Sequence, residues 1–492
     1  MFHEQIEKPV GLGDRSRVMQ AKYHIGSLTL AFVDYGAVIL AIISTWFLRT
    51  VILPAFFPSL MPFHISDKYV LYFIPIVYLI LLMAEGMYTK RLPFWQSAEI
   101  VFKVSIYATL VIILLMFFLK MDHTSRIFIA LSWLFSFLYL SVFRYSTKRF
   151  LADAGFWKKP IVVVGAAATA QVITKSFAEQ PNIGYEVVGL IEDQSAENPM
   201  VAACTPVIGS LNNIEDSIIH SGVKDVIIAA PGLSREQLIN LVYRIQPLVE
   251  ELKIVPDLSG LPIGNLKTEM LFMEKILMLS LKNNLEFVSN QIVKRLFDIV
   301  IGSITFVVTG PVMLLIAVLI KLESPGPAMH TGNRLGRKGK EFACYKFRTM
   351  HVHGDELLEQ YLAGNSEARE EWEHYAKLRG YDPRVTRVGK WLRKLSLDEL
   401  PQLFNVILGD MSLVGPRPYL PREKDKMGKF YNTILTTVPG ITGLWQVSGR
   451  NQINFDGRLA LDSWYVRNWS VWLDFELLVK TVKVVLGRKG AY

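Results

Sequence analysis

Two neighbouring carboxylates, Asp398 and Glu399, stand in the run SLDELPQLFNVILGDMSLVGPRP (396–418), shortly after two stretches crowded with lysine and arginine. The first stretch, NRLGRKGKEFACYKFRTM (333–350), carries Arg334, Arg337, Lys338, Lys340, Lys346 and Arg348 against one acid, Glu341. The second, DPRVTRVGKWLRK (382–394), sets Arg384, Arg387, Lys390, Arg393 and Lys394 against Asp382. Acids held among cations stay ionised, the state a nucleophile or a magnesium ligand requires. Basic runs are ordinarily solvated faces, and adjacent acids are common in any chain. Their position directly after a membrane-length apolar segment is what points to phosphate-bearing partners at an anionic surface.

Ser396 and Glu399 match a capping box and predict a helix start. A cap at Ser396, however, leaves Pro401 beyond the first turn, where its ring and missing N–H disrupt a helix. A start nearer Asp398 puts Pro401 in the first turn and both acids at the positive helix end, which favours their charged forms. GPRP (415–418) holds Arg417 between two prolines, a stiff backbone that presents a guanidinium for bidentate recognition of phosphate or carboxylate; a structural turn is the competing reading. VPGITGLWQVSGR (438–450) adds a second rigid turn, ending in Arg450. DSWYVRNWSVWLDFELLVKTVKVVL (462–486) mixes Trp464, Tyr465, Trp469 and Trp472 with Arg467, Lys480 and Lys483, a pattern that suits a helix in the membrane interface or one packed into a core. His351 and His353 have no further ligands at zinc-site spacing and read as a loop.

These residues need a scaffold, and the composition says of what kind. A chain of 492 residues, 51% hydrophobic and 12% aromatic, with a mean hydropathy of +0.29, reads as a membrane protein of several domains. The net charge of +9 is spread through an apolar chain, which suits lipid headgroups or a nucleotide better than DNA. The only cysteines, Cys204 and Cys344, form no CxxC pattern, so neither a disulfide framework nor structural zinc is expected. The polar N-terminus, a cytoplasmic tail over 1–25, shows no cleavable signal.

Apolar segments at 26–48, 69–88, 100–119 and 127–143 predict a four-helix transmembrane region over 26–150. Basic residues before the first, between the second and third, and after the fourth place those regions in the cytoplasm. Asp34 inside the first span is costly there, and suggests either a function or a pairing between helices. Over 158–262, apolar β-rich runs at 161–165, 186–193, 223–231 and 252–260 alternate with helical stretches and predict a Rossmann-like parallel sheet. Its turn, GAAATA (165–170), keeps one glycine of the dinucleotide fingerprint, which argues against NAD despite Glu192 and Asp193 at the end of the second strand. A linker at 263–290 leads to the catalytic region, 291–492. There the uncharged run 299–320, at about 1.5 Å per residue, is long enough to cross a hydrocarbon core of about 30 Å. With basic residues at both ends and Gly310–Pro311 near its middle, it predicts a reentrant helix over 295–322, broken at that pair, that enters one leaflet and returns.

The succession KRLFD, apolar stretch, GNRLGRKGKEFACYKFRTM, DPRVTRVGKWLRKLSLDELPQLFNVILGDMSLVGPRP, PGITGLWQVSGR and DSWYVRNW resembles the bacterial sugar transferase family, the monotopic phosphoglycosyl transferases. The spans and sheet ahead of it resemble that family's large polyprenyl-phosphate hexose-1-phosphate transferases. The resemblance implies a mixed α/β membrane-embedded catalytic domain on the cytoplasmic face of a bacterial inner membrane, acting on a UDP-hexose and undecaprenyl phosphate, with Mg²⁺ and as a homodimer. It implies Asp398 as nucleophile, Glu399 as metal ligand, and Arg417, Lys346, Arg348 and Arg450 toward the nucleotide or its phosphates. Lys294 and Arg295 are implied at the lipid phosphate. The family often has Ser-Pro where this chain has Gly310–Pro311. Galactose and glucose both remain open as the sugar. A membrane sugar-nucleotide dehydratase or epimerase would need an intact glycine fingerprint and a Tyr-x-x-x-Lys pair, and no tyrosine here has lysine four residues on. A polysaccharide-assembly scaffold would have no use for adjacent acids among phosphate-binding arginines.

Overall fold

The computed structural model describes residues 12–60, 68–118, 125–165, 167–192, 205–256, 266–271, 276–375, 378, 381–449 and 453–486. The chain divides into two compact units, Met1–Asp257 and Leu258–Tyr492.

The first unit begins with α1 (Leu12–Phe47), which runs through a π-helical turn into α2 (Leu53–Phe56), followed by α3 (Ile74–Ala84), α4 (Phe94–Phe118) and α5 (Arg126–Asp153). Lys22–Phe56, Phe94–Phe118 and Arg126–Asp153 are long and apolar enough to cross a membrane, whereas Tyr69–Ala84 is shorter. Asp34 is fully buried and paired with Arg144, whose guanidinium also donates to Met87 O at 2.7 Å. Pairing between helices therefore accounts for this acid.

Five strands follow: β1 (Lys159–Val164), β2 (Tyr185–Ile191), β3 (Val207–Gly209), β4 (Asp225–Ile228) and β5 (Glu251–Ile254). They pair in parallel in the order β3-β2-β1-β4-β5, with α6 (Ala167–Glu179), α7 (Ile214–Ser221) and α8 (Arg235–Ile245) as crossovers. The apolar runs read as strands because β1 and β4 are buried on both faces. Gly165 has φ +141, and a Cβ there would lie 2.3 Å from Ala229 O. This glycine is needed where the ends of β1 and β4 meet, a demand of the sheet itself.

The second unit opens with a hairpin, β6 (Leu266–Leu271) against β7 (Ile276–Leu281), within the stretch expected as a linker. ILMLSL, a short run apolar at every position but Ser280, suits a strand. Next comes α9 (Val288–Glu323), one uninterrupted helix with Pro311 inside it. The break expected at Gly310–Pro311 does not appear, because a proline removes a single N–H and the flanking turns keep theirs. Thr309 Oγ1 donates to Thr305 O at 2.8 Å, two residues before Val307, whose carbonyl Pro311 leaves free.

Both ends of α9 are fastened to the same body. Near its start, Asp298 Oδ1 accepts from Ser412 Oγ (2.9 Å) and Leu413 N (3.0 Å). Near its end, Glu323 accepts the N–H groups of Arg387 and Val388 at 2.7 and 2.9 Å, capping the helix that begins at Arg387. The order after α9 is β8 (Met329–Leu335) and β9 (Glu341–Phe347), an antiparallel pair, then α10 (Gly354–Gly364), α11 (Ser366–Tyr375), α12 (Arg387–Leu395) and α13 (Gln402–Leu408). It closes with β10 (Ser412–Val414), α14 (Tyr431–Ile434), β11 (Gly440–Thr442), α15 (Leu444–Ser448), α16 (Phe455–Asn468) and α17 (Val471–Leu486). Tyr465 and Trp469 lie in the core with Val406, Val414 and Leu477, while Trp464 is part-exposed. Core packing is thus the reading that holds for the first two. Gly415 and Gly440 are where β10 and β11 touch: a Cβ on Gly440 would lie 2.0 Å from Gly415 N.

Candidate active site

β9 carries Lys346 on one face and delivers Arg348, two residues on, to the same side. Opposite them α12 ends at Ser396, whose backbone is left-handed (φ 56, ψ 23). A non-glycine residue there is uncommon and marks a turn imposed by its surroundings. Ser396 makes no side-chain cap, so the expected capping box does not form. The acids sit instead on a 3-10 turn, Leu397–Glu399, with Pro401 directly before α13. Leu397 and Leu400 pack against Met313, Ile316, Ile320, Phe347 and Leu392. The turn is held by its leucines, and both acids line an open cleft of about 810 Å³ with Lys346, Arg348, Arg384, Arg393 and Trp445.

Lys346 Nζ is 2.7 Å from Glu399 Oε1. Burial alone would lower the lysine pKa, but the charge and hydrogen bond of Glu399, helped by Asp398, raise it. Asp398 is shifted the other way from the sequence expectation. Burial, reinforced by the like charge of Glu399, pushes its carboxyl above the usual range against the pull of Lys346 and Arg393. Desolvation outweighs the basic clusters, a balance composition alone does not reveal. Arg393 donates from Nε to Thr349 Oγ1 at 2.9 Å, beside Asp398.

Arg417 is part-buried, its guanidinium carbon 5.7 Å from the centre of the ring of Trp445, which lines the cleft. The guanidinium of Arg458 lies 5.2 Å from the same ring. Arg348 lines the cleft but spends Nη1 on Pro325 O (2.9 Å) and Nη2 on Ser324 O (2.6 Å), tying β9 to the end of α9. Arg450 lies outside the described residues.

Lys294 and Arg295 are not brought to this cleft. Lys294 is buried and donates to Val414 O (3.0 Å), Tyr465 Oη (3.3 Å) and Asp474 Oδ2 (2.7 Å). All three of its protons are committed within the core. Arg295 donates to Val406 O (2.5 Å) and Ile407 O (2.8 Å), the last carbonyls of α13, and so caps that helix. The polar contacts that hold α9 on its body thus account for both.

Among the described residues no group of three or more His, Cys, Asp or Glu side chains is placed to hold a metal. A pair of carboxylates in a cleft open enough for a diphosphate is nevertheless the donor set Mg²⁺ uses when substrate oxygens and water complete its shell.

A family model described as bacterial sugar transferase matches residues 289–488, and one described as CoA-binding domain matches 83–256. An undecaprenyl-phosphate galactose phosphotransferase of Salmonella typhimurium is 36% identical over 410 residues, 82% of this chain and 84% of its own. The chain belongs to the bacterial sugar transferase family. A UDP-glucose:undecaprenyl-phosphate glucose-1-phosphate transferase of Escherichia coli is 30% identical over 350 residues, 70% of this chain and 71% of its own. An exopolysaccharide production protein of Rhizobium meliloti is 46% identical over 202 residues, 40% of this chain but 88% of its own. The transferase portion, the stretch that holds the cleft, therefore occurs in a relative of little more than that length.

Within this sugar transferase, motif reading brought Asp398, Glu399, Lys346 and Arg348 to one cleft and placed Arg417 at its edge. It did not single out Trp445, or Arg393 beyond its basic run. The tryptophan sits in a motif noted for its proline–glycine turn, and only the fold turns it toward the acids.

Proposed function

We propose that this enzyme transfers hexose-1-phosphate from a UDP-hexose to undecaprenyl phosphate, with galactose as the hexose and glucose as the alternative. The observation that carries the reading is the Asp398–Glu399 pair set opposite Lys346, Arg348 and Arg393 in one open cleft. The relatives that span most of this chain act, by their names, on galactose and glucose in turn, and the higher identity favours galactose.

In the first step an Asp398 oxygen attacks the sugar-bearing phosphorus, and the bond from that phosphorus to the bridging oxygen breaks. UMP leaves with the electron pair, and a phosphosugar stays on the aspartate. In the second step a phosphate oxygen of the lipid attacks the same phosphorus, regenerating the carboxylate and giving the diphosphate-linked sugar that begins a polysaccharide repeat. Lys346 and Arg393 hold Asp398 toward its ionised form and take up charge on the phosphoryl oxygens. Arg417 grips the diphosphate from the Trp445 side. Glu399 would hold Mg²⁺, which when bound would neutralise charge on the leaving UMP. Arg348 acts at one remove, by fixing the end of α9 against β9. With the cleft on the cytoplasmic face, where UDP-sugars are made, α9 enters one leaflet as a continuous helix bent at Pro311 and returns.

Membranes carrying the protein are incubated with UDP-galactose labelled in the sugar-bearing phosphate, Mg²⁺ and undecaprenyl phosphate, and in parallel with UDP-glucose. Labelled lipid with stoichiometric UMP is expected, and label on the protein when the lipid is withheld. Asp398→Asn gives neither. Absence of labelled lipid with both sugars refutes the activity, and equal turnover in Asp398→Asn refutes the covalent route.

A further inference from the structure

Between Pro416 and Pro418, Arg417 carries the only backbone N–H of the triplet, since proline has none. That N–H donates to Asp462 Oδ2 at 3.0 Å, and Tyr419 Oη donates to the same oxygen at 2.8 Å. Asp462 comes from α16, is fully buried, and so ties the turn from both sides of Pro418. Its other oxygen, Oδ1, is buried with no hydrogen-bond partner among the described residues. Such a carboxylate is costly, and burial pushes its pKa up to about 7 against the backbone of Arg417, Tyr419 and the charges of Arg417 and Arg458. A buried acid whose visible use is to hold Arg417 and Tyr419, on either side of Pro418, calls for an explanation in what that turn does.

We propose that Asp462 is a positioning residue for the transferase reaction, fixing the Pro416–Arg417–Pro418 turn so that the Arg417 guanidinium lies over Trp445 at the rim of the cleft. The inference rests on the proposed role of Arg417 at the diphosphate. With the backbone N–H of Arg417 committed to Asp462, the turn cannot swing without breaking a hydrogen bond to a buried carboxylate. The guanidinium is left to reach the cleft edge, where the indole supports its flat face. Asp462 itself touches no substrate.

The test is a double-mutant cycle on the full-length enzyme in membranes, with KM measured separately for UDP-hexose and for undecaprenyl phosphate. Asp462→Ala is expected to raise KM for UDP-hexose about tenfold, leave KM for the lipid within about twofold, and add nothing when combined with Arg417→Ala. Asp462→Asn keeps an acceptor oxygen at the position of Oδ2 and is expected to restore KM to within about threefold of wild type. If Asp462→Ala does not accumulate as folded protein, Tyr419→Phe removes one of the two hydrogen bonds and is expected to give a smaller shift of the same kind. Multiplicative losses in the double variant, or equal rises in both KM values, overturn the proposal. If Arg417→Ala leaves KM for UDP-hexose unchanged, the reading of Arg417 fails and takes this inference with it; if Arg417→Ala raises KM and Asp462→Ala does not, the inference alone fails.

Discussion

Lys294→Met separates a structural lysine from a lipid-binding one. In the folded chain the ammonium lies 2.7 Å from Asp474 Oδ2, with side-chain exposures of 6% and 1%. At an effective dielectric constant of about 20, two unit charges at that separation attract by about 6 kcal/mol, most of it offset by the cost of dehydrating both. Removing one partner leaves the other charge buried, which typically costs about 3–5 kcal/mol. Asp474 keeps hydrogen bonds from Tyr465 Oη (2.6 Å) and Trp469 Nε1 (2.9 Å), which puts the loss near the lower limit. For a unit of this size each kcal/mol moves Tm by about 2–4 °C, so a drop of about 6–12 °C is expected in thermal unfolding of the detergent-solubilised protein. Adding Asp474→Leu recovers part of the loss, because the carboxylate left without its ammonium is removed, while the buried Asp298 still lacks the Lys294 charge. An unchanged Tm together with a raised KM for undecaprenyl phosphate would refute the reasoning and return Lys294 to the lipid.

The raised pKa of Asp398 predicts that turnover falls on the acid side at a pH above the ordinary aspartate range, as the nucleophile takes up a proton. Lys346→Met removes a cation that favours the carboxylate, so the acid limb of the pH–rate profile for UMP release moves to higher pH; a downward shift would contradict the assignment. Gly440→Ala forces a Cβ to within 2.0 Å of Gly415 N, and a loss of about 3 kcal/mol or more in denaturant unfolding is expected, since backbone cannot step aside cheaply. Gly310→Ala meets nothing within 4 Å in a continuous helix, so it should gain about 0.5–1 kcal/mol and keep full activity. A large loss of turnover in Gly310→Ala would show that the glycine works as a hinge. A reporter fused after Lys321 is expected to be cytoplasmic, and a periplasmic signal would mean that α9 crosses.

The parallel sheet was legible because strands buried on both faces must be apolar nearly throughout, as IVVV is and as VII after Asp225 is; β3, three residues long, offers no such run. The cleft was legible where residue type alone restricts the chemistry, as with adjacent acids between basic clusters. It was not legible where a charge has two equally good partners. Lys294 before an apolar helix looks the same whether its ammonium meets a lipid phosphate or a carboxylate 180 residues later, and only packing decides. Ser396 shows the limit of local rules. Its spacing to Glu399 is that of a capping box, but the leucines on either side of the acids pack against the core around Met313 and Phe347, and the backbone at the serine is left-handed. Asp462, an isolated acid in DSWY, gives no local sign that it holds a turn 45 residues earlier.

The fastening of α9 bears directly on how a lipid reaches the acids. Its buried stripe runs through Lys294, Asp298, Gly302, Met313, Ile316 and Ile320, while Val307, Val308, Leu314 and Leu322 are at least 70% exposed. Apolar surface of that extent on a helix is at home only in hydrocarbon or against a partner. Yet the start of the helix is bonded to β10 and α17 and its end to α12, elements of one body. Crossing a bilayer would set those anchors on opposite sides of about 30 Å of hydrocarbon and tear one set from the body. Keeping both anchors requires both helix ends to stay on one side, which a straight crossing denies; on the proposed function α9 bends at Pro311 within one leaflet while its helical winding continues. Arg348 then acquires a consequence: by binding the carbonyls of Ser324 and Pro325 while lining the cleft, it sets the exit of the apolar helix beside Asp398 and Glu399. On the proposed function, a polyprenyl chain lying along the exposed face of α9 has its phosphate carried to the acids by the helix end itself. No further cation at the helix mouth is then needed, which is why Lys294 and Arg295 can be spent on the core.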